Sequence, residues 1–344
     1  MTDSERKLKQ ALLWETTGDK NVKCSLCAWR CSIADGKVGH CGVRKNIDGT
    51  LYSLVYDRVC AAGADPIEKK PLFHFMPGTS AFSISTPGCN FRCSFCQNWQ
   101  ISQMALDGRI QGQPYTPEEI VNAALKAGCR SIAYTYTEPT IFMELCADCG
   151  QLAKRKGLAN IFVSNGYETT EAIDLAKPWL DAINVDLKSF SDDFYKKLCK
   201  ASLAPVLDTI RYIAKKTDIW MEITTLLIPG ENDSDAEIAA IAEFIVKETG
   251  PDTPWHVSGF YPNYKMTDKP ATNGHSLERA LDIGKKAGLR YIYVGNLPGT
   301  RAESTFCYSC GATLIERVGY TINSNKIKDG SCPQCRAIIA GIGL

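Results

Sequence analysis

The chain lacks several features that would assign a class at once. Its 39 lysines and arginines face 38 aspartates and glutamates, for a formal net charge of +1. It therefore has no overall excess of positive charge, the footprint that nucleic acid or an anionic lipid surface requires, and binding to either is not expected. No apolar run is long enough to span a bilayer. The charged opening, Met1-Thr-Asp-Ser-Glu-Arg-Lys7, has no apolar core behind it. A secretory leader is accordingly not expected, and the chain reads as cytoplasmic. There is no low-complexity tract and no exact repeat. Apolar residues make up 44% of 344 positions, ample for a main domain of roughly 200–250 residues plus small extras. Cysteine is plentiful, at sixteen. Without a leader, metal binding explains that number better than a disulfide framework.

The cysteines partition by spacing. Cys89-Asn-Phe-Arg-Cys93-Ser-Phe-Cys96 places three thiols in one short loop, with an aromatic before the third. A cubane iron–sulfur cluster takes up to four thiolates. Three leave one iron open to bind a small molecule and pass it an electron, as catalytic metal sites keep an open position. Half of a zinc site or a group of buried thiols are the alternatives. Cys307, Cys310, Cys332 and Cys335 form two CxxC pairs. Each pair can wrap one side of a tetrahedral zinc, as in a zinc ribbon, and a module of roughly 40 residues needs such a staple. Cys24, Cys27, Cys31 and Cys41 complete another closed set, for zinc or an auxiliary iron–sulfur cluster. Its second half lacks the CxxC knuckle usual for zinc, and His40 could substitute as a ligand. Cys146 and Cys149 read as small buried side chains on a helix. Cys60, Cys129 and Cys199 have no partner by spacing.

Three regions emerge: a Cys-rich segment over residues 1–79, a core over 80–298, and a zinc-ribbon-like module over 299–344. The first opens with an expected helix from Glu5 to Glu15. In the core, strands are expected over 81–86, 131–136, 160–163, 183–187, 219–228, 255–260 and 291–294, with helices between them. One helix is announced by Thr116-Pro-Glu-Glu119, an N-cap with a proline at the first turn and a capping-box glutamate. Repeated β-α units imply an α/β fold with a parallel sheet, curled into a partial (β/α)6-type barrel. Chemistry in such folds gathers at the C-terminal ends of the strands. The cysteine loop, Thr137–Thr140, Ser164–Tyr167, Asp186–Lys188, Ile228–Gly230, His256 with Tyr261-Pro262, and Gly295-Asn296 all fall at or just past such ends.

Four stretches carry a family resemblance: Asp65-Pro-Ile-Glu-Lys-Lys-Pro-Leu-Phe-His-Phe75, Gly88-Cys-Asn-Phe-Arg-Cys-Ser-Phe-Cys-Gln-Asn-Trp99, Trp255-His-Val-Ser-Gly-Phe-Tyr-Pro262 and Tyr293-Val-Gly-Asn296. Over residues 20–344 the chain resembles the radical S-adenosylmethionine (SAM) enzyme of the AmmeMemoRadiSam system, which is related to pyruvate formate-lyase activating enzymes. The resemblance implies a reduced [4Fe-4S] cluster on Cys89, Cys93 and Cys96. That cluster would cleave S-adenosylmethionine to methionine and a 5'-deoxyadenosyl radical, which abstracts hydrogen from a substrate. The substrate is expected to be a small molecule. It further implies a flavodoxin or ferredoxin as electron donor, and Memo-like and AMMECR-like proteins in the same pathway.

The resemblance also implies roles at the strand ends, each beside a plainer one. Glu138 would hold the methionine amino group, or simply favour a helix N-terminus. Relatives precede this glutamate with two glycines, where this chain has Tyr136-Thr137. Ser164, Asn165 and Gly166 would contact the ribose and methionine part, or only shape a turn. Asp186 could hold a ribose hydroxyl or an ion and Lys188 the carboxylate, or the two could pair as a salt bridge. Pro229-Gly230 would offer backbone contacts to adenine, and Trp99 would pack against it or shield the cluster. His256 would contact the sulfonium end or the substrate, or be a satisfied core histidine. His74 and Lys69-Lys70 would border the substrate or tie their segment down. Two rivals stand beside this enzyme: an activase that places a glycyl radical on a partner protein, and a non-catalytic zinc protein.

Overall fold

The computed structural model describes residues 8–297 and 301–344. The chain divides into two compact units, one of residues 1–64, 82–92 and 98–180, the other of residues 65–81, 93–97 and 181–344.

The first unit holds most of β1 (Ser80–Ser85), with β2 (Ser131–Tyr134) and β3 (Ala159–Ser164) as successive hydrogen-bonded neighbours. β2 and β3 run parallel. Their central apolar residues, Ile132, Ala133, Tyr134, Ile161 and Phe162, are buried, as strands covered on both faces require. Helix α1 (Pro117–Lys126) begins as its sequence announces. Glu119 N donates to Thr116 Oγ1 at 3.2 Å and Thr116 N donates to Glu119 Oε2 at 2.8 Å. Helices α2 (Met143–Arg155) and α3 (Thr170–Ala176) follow β2 and β3.

The helix expected from Glu5 to Glu15 does not form. Its residues 5–7 lie outside the described residues, but Lys9–Gln10 and Trp14–Gly18 are strands, antiparallel to Thr50–Ser53 and Asn21–Cys24. Leu13 sits at φ +51° between them. Leu12 N donates to Glu144 Oε1 at 2.7 Å rather than to a helical carbonyl. Partners distant in sequence outweigh the local pattern here.

The second unit carries four consecutive parallel strands: β4 (Ala182–Asp186), β5 (Trp220–Leu227), β6 (Trp255–Gly259) and β7 (Ile292–Gly295). Helices α4 (Leu203–Lys216), α5 (Asp235–Thr249) and α6 (Gly274–Ala287) alternate with them. Gly284 lets α6 approach the sheet closely, since a Cβ there would lie 2.6 Å from Ile292 Cδ1. Strands Thr305–Phe306, Thr313–Val318 and Thr321–Asn325 form a small antiparallel sheet. Leu314, Ile315 and Ile339 pack with Phe73, Tyr291 and Tyr293 in one buried cluster. The α/β reading with parallel strands therefore holds. Among the described residues no helix is long and apolar enough to cross a membrane.

Candidate functional site

In the first unit, Gly88 turns the chain out of β1 at φ +101°, where a Cβ would lie 2.7 Å from Val43 Cγ1. Cys89 follows, with Phe91 N donating to its sulfur at 3.4 Å. Asn165 Nδ2 donates to Asn90 Oδ1 at 2.7 Å and lies 3.9 Å from Cys89 Sγ. The turn after β3 is thereby tied to the first cysteine. Gly166 takes φ +74°, the left-handed turn expected of it.

Glu138 is almost fully buried. It caps the short 3-10 helix Pro139–Phe142. Its Oε1 accepts from Thr140 N at 3.1 Å, Thr140 Oγ1 at 2.6 Å and Ser164 Oγ at 3.0 Å, and Asn165 N donates to its Oε2 at 2.9 Å. Ser164 Oγ also lies 2.5 Å from Glu168 Oε1. One hydroxyl proton cannot serve two carboxylates, so this pair favours holding a proton. Burial, and then the charge of Glu168, raise the Glu138 carboxyl to about 8. Such a pocket suits an incoming cation, which can take the proton's place. Tyr136, standing where relatives have glycine, still adopts φ +66°. Glu168 escaped the sequence reading because nothing in its local pattern sets it apart from a loop acid.

In the second unit, Ser94 N donates to Leu198 O at 2.9 Å and Cys96 N to Cys93 O at 3.2 Å, which fixes the loop's second half. The neighbouring Cys199 thiol, together with burial, pushes the Cys93 thiol well above its ordinary value. Cys199, unpaired by spacing, is thus brought to Cys93 by the fold. Asp186 and Lys188 pair at 2.8 Å. Burial opposes the Lys188 charge, but Asp186 and the thiols of Cys93 and Cys199 outweigh it and raise its pKa. Pro229 is half-buried in a turn where Gly230 N donates to Asp233 Oδ1 at 2.8 Å.

His256 is buried, with Nε2 2.6 Å from Glu222 Oε2. Glu222, inside β5, also accepts from Phe73 N at 2.9 Å, His74 N at 2.8 Å and Trp220 Nε1 at 3.0 Å. Burial works against its charge, but these donors, His256 foremost, outweigh it and hold the carboxyl below its ordinary value. The sequence signal for Glu222 was a lone acid in a buried strand. His256, Phe73, Tyr261, Tyr293 and Asn296 line a cavity of about 600 Å³, along with Gln97 just past Cys96. Lys69 borders this cavity as well. Lys70 is buried against Asp65 at 2.6 Å, and His74 ties Ala340 O at 2.6 Å to Tyr293 Oη at 2.5 Å. Lys69 pairs with Asp65 as well, at 2.8 Å.

Cys307, Cys310, Cys332 and Cys335 bring their sulfurs within 4.8 Å of one another, with pairs at 3.6 and 3.7 Å. The two knuckles share a left-handed residue, Gly311 at φ +73° and Arg336 at φ +66°. This group could hold a metal ion. Cys24, Cys27, Cys31 and Cys41 line one small cavity with His40 and Arg44. Cys146 and Cys149 are buried in α2, as read.

The Radical SAM superfamily profile matches residues 83–243. An uncharacterized protein of Methanocaldococcus jannaschii is similar at 44% identity over 96% of this chain and 97% of its own length. Another protein of that organism, provisionally named a glycyl-radical enzyme activating enzyme, is 31% identical over 61% of this chain and 77% of its own. A radical SAM methyltransferase from Sphaerobacter thermophilus has a similar fold, with a TM-score of 0.50 at 20% identity over 64% of this chain and 67% of its own.

Proposed function

The chain belongs to the Radical SAM superfamily and is an enzyme, and from that premise we propose that it abstracts hydrogen from a small-molecule substrate in the AmmeMemoRadiSam pathway. Membership implies a [4Fe-4S] cluster and S-adenosylmethionine. When bound and reduced, the cluster supplies the electron that cleaves S-adenosylmethionine to methionine and a 5'-deoxyadenosyl radical. Cys89, Cys93 and Cys96 would hold three irons, and their spacing within the matched segment carries the reading. Their donor set fits, since three thiolates leave one iron open. Glu138, oriented by Ser164 and Asn165, would accept from the methionine amino group, with Gly166 shaping the turn. Asp186 and Lys188 would meet a ribose hydroxyl and the carboxylate, and the Pro229 turn the adenine. His256, oriented by Glu222, would face the substrate. The cavity of about 600 Å³ beside it supports a small substrate.

We assign structural zinc to the C-terminal cysteines, whose sulfur spacing suits a tetrahedral ion. The organisation would be a Cys-rich segment over 1–79, a core over 80–298 and a ribbon over 299–344. A flavodoxin or ferredoxin would deliver the electron, and Memo-like and AMMECR-like proteins would act on the same pathway. A second reading, an activase that installs a glycyl radical on a partner protein, draws on the relative of provisional activating-enzyme name. The test is anaerobic reconstitution with dithionite and S-adenosylmethionine, followed by an assay for 5'-deoxyadenosine. Wild type should form it and Cys93→Ala should not; equal behaviour would sink the proposal.

A further inference from the structure

The catalytic reading leaves the thiols of Cys24, Cys27, Cys31 and Cys41 unused. We propose that they bind a second iron–sulfur cluster, ligated entirely by protein and braced against the Cys89 segment. It rests on the family reading only for the identity of the cluster at Cys89.

The spacing of the thiols supports this first. Four thiolates at about 2.3 Å from one tetrahedral zinc stand roughly 3.8 Å apart. The C-terminal sulfurs already have that spacing, at 3.6 and 3.7 Å. Among the described residues, no three of the N-terminal sulfurs gather within the 4.8 Å that the C-terminal group satisfies. Yet all four line a single small cavity. Thiols that line one cavity without gathering to the spacing of a single ion match a polynuclear cluster, where each sits on its own iron.

The charge is the second support. Arg44 is 1% exposed. Its Nη1 lies 3.4 Å from Cys24 Sγ, while Nη2 donates to Glu144 Oε1 and Leu12 O, both at 2.6 Å. Its Nε is buried without a hydrogen-bond partner. A guanidinium sealed among thiols is costly unless the site itself carries anionic charge. Glu144 supplies one charge, and a cluster on four thiolates supplies more. His40 N donates to Cys31 Sγ at 3.5 Å, a bond of the kind that tunes a cluster. The His40 ring stacks on Trp29 at 4.0 Å between centroids, and its Nε2 is buried beside the thiols without a hydrogen-bond partner.

The seat is the third. Trp29 Nε1 donates to Asn90 O at 2.9 Å. Arg92 donates through Nη1 to Cys89 O at 2.7 Å and through Nη2 to His40 O. Cys27 forms a β-bridge with Glu168, and Ala28 N donates to Tyr167 O at 2.9 Å. Thr169 Oγ1 donates to Ser25 O at 2.7 Å. The loop carrying these thiols is therefore bonded both to the neighbours of Cys89 and to the turn after Ser164, and a cluster there would brace both.

The experiment measures iron, sulfide and zinc per chain in full-length, anaerobically reconstituted protein. Wild type should hold about eight irons and eight sulfides. A Cys89→Ala, Cys93→Ala, Cys96→Ala variant, which leaves the N-terminal group intact, should keep about four of each. Replacing Cys24 and Cys41 by alanine should remove about four irons and leave zinc unchanged. In reduced wild type, added S-adenosylmethionine should shift one electron paramagnetic resonance signal and leave the other, since a closed cluster has no open iron. The proposal fails if the triple variant holds no iron, whether zinc rises to two per chain or stays at one. The family reading fails separately, if the Cys24/Cys41 variant holds no iron while the triple variant does.

Discussion

Glu138 shows what a single residue does here. A carboxyl raised from 4.5 to about 8 stays protonated while the unfolded chain has already released its proton. Its contribution to stability therefore falls as pH climbs from 4.5 toward 8, and levels off above. In the proposed role, accepting from the methionine amino group requires the ionised form, so binding must expel the proton. The dissociation constant for S-adenosylmethionine should tighten about tenfold per pH unit between pH 6 and 8, then flatten. Calorimetric titrations across that range check this, and Glu138→Gln should bind more weakly and lose the slope. A flat wild-type profile would remove Glu138 from the site. Glu138, Ser164, Asn165 and Gly166 were legible as residue types at a strand end. Glu168 and Cys199 were not, because their importance lies in the neighbours that the fold brings to them.

At the scale of elements, β5 is a buried strand with an acid at its centre. Glu222 satisfies backbone N–H groups of Phe73 and His74 along with the side chains of Trp220 and His256. Glu222→Ala should cost about 3–5 kcal/mol, because it strands buried donors. Urea denaturation measures that loss. Acid acts on the same region. Burial lowers His74 from 6.5 to about 4, so the unfolded chain takes up this proton first and stability is lost as pH falls through that window. Glu222, held below its ordinary value, adds to the loss at still lower pH. Glu138 gains stability over the same range, so the loss is read in Glu138→Gln, whose thermal midpoint should fall from pH 7 to pH 4 more steeply than that of wild type. The capping box of α1 formed as its four residues foretold, because its partners lie within one turn. The N-terminal helix failed because Lys9, Gln10 and Leu12 find partners at Ser53, Tyr52 and Glu144.

At the scale of the molecule, the C-terminal module belongs to the second unit. Arg317 is buried; its Nη2 donates to Phe73 O at 2.8 Å and its Nε lies 3.7 Å from Glu68 Oε1. Ending the chain before Arg301 would expose Phe73, Tyr291 and Tyr293 and leave Glu68 buried without its cation. Such a truncation should lose soluble yield, where Cys310→Ser should lose metal yet retain the sheet; gel filtration and metal analysis separate the two outcomes. The sequence alone determined the α/β alternation, the three-cysteine loop and the two groups of four cysteines, because strand period, capping and cysteine spacing are written over a few consecutive residues. Only the tertiary structure decided that His256 leans on Glu222, that Glu138 shares a hydroxyl with Glu168, and that the C-terminal four cysteines gather their sulfurs within 4.8 Å. Those are distances between residues far apart in the chain, set by packing rather than by local pattern.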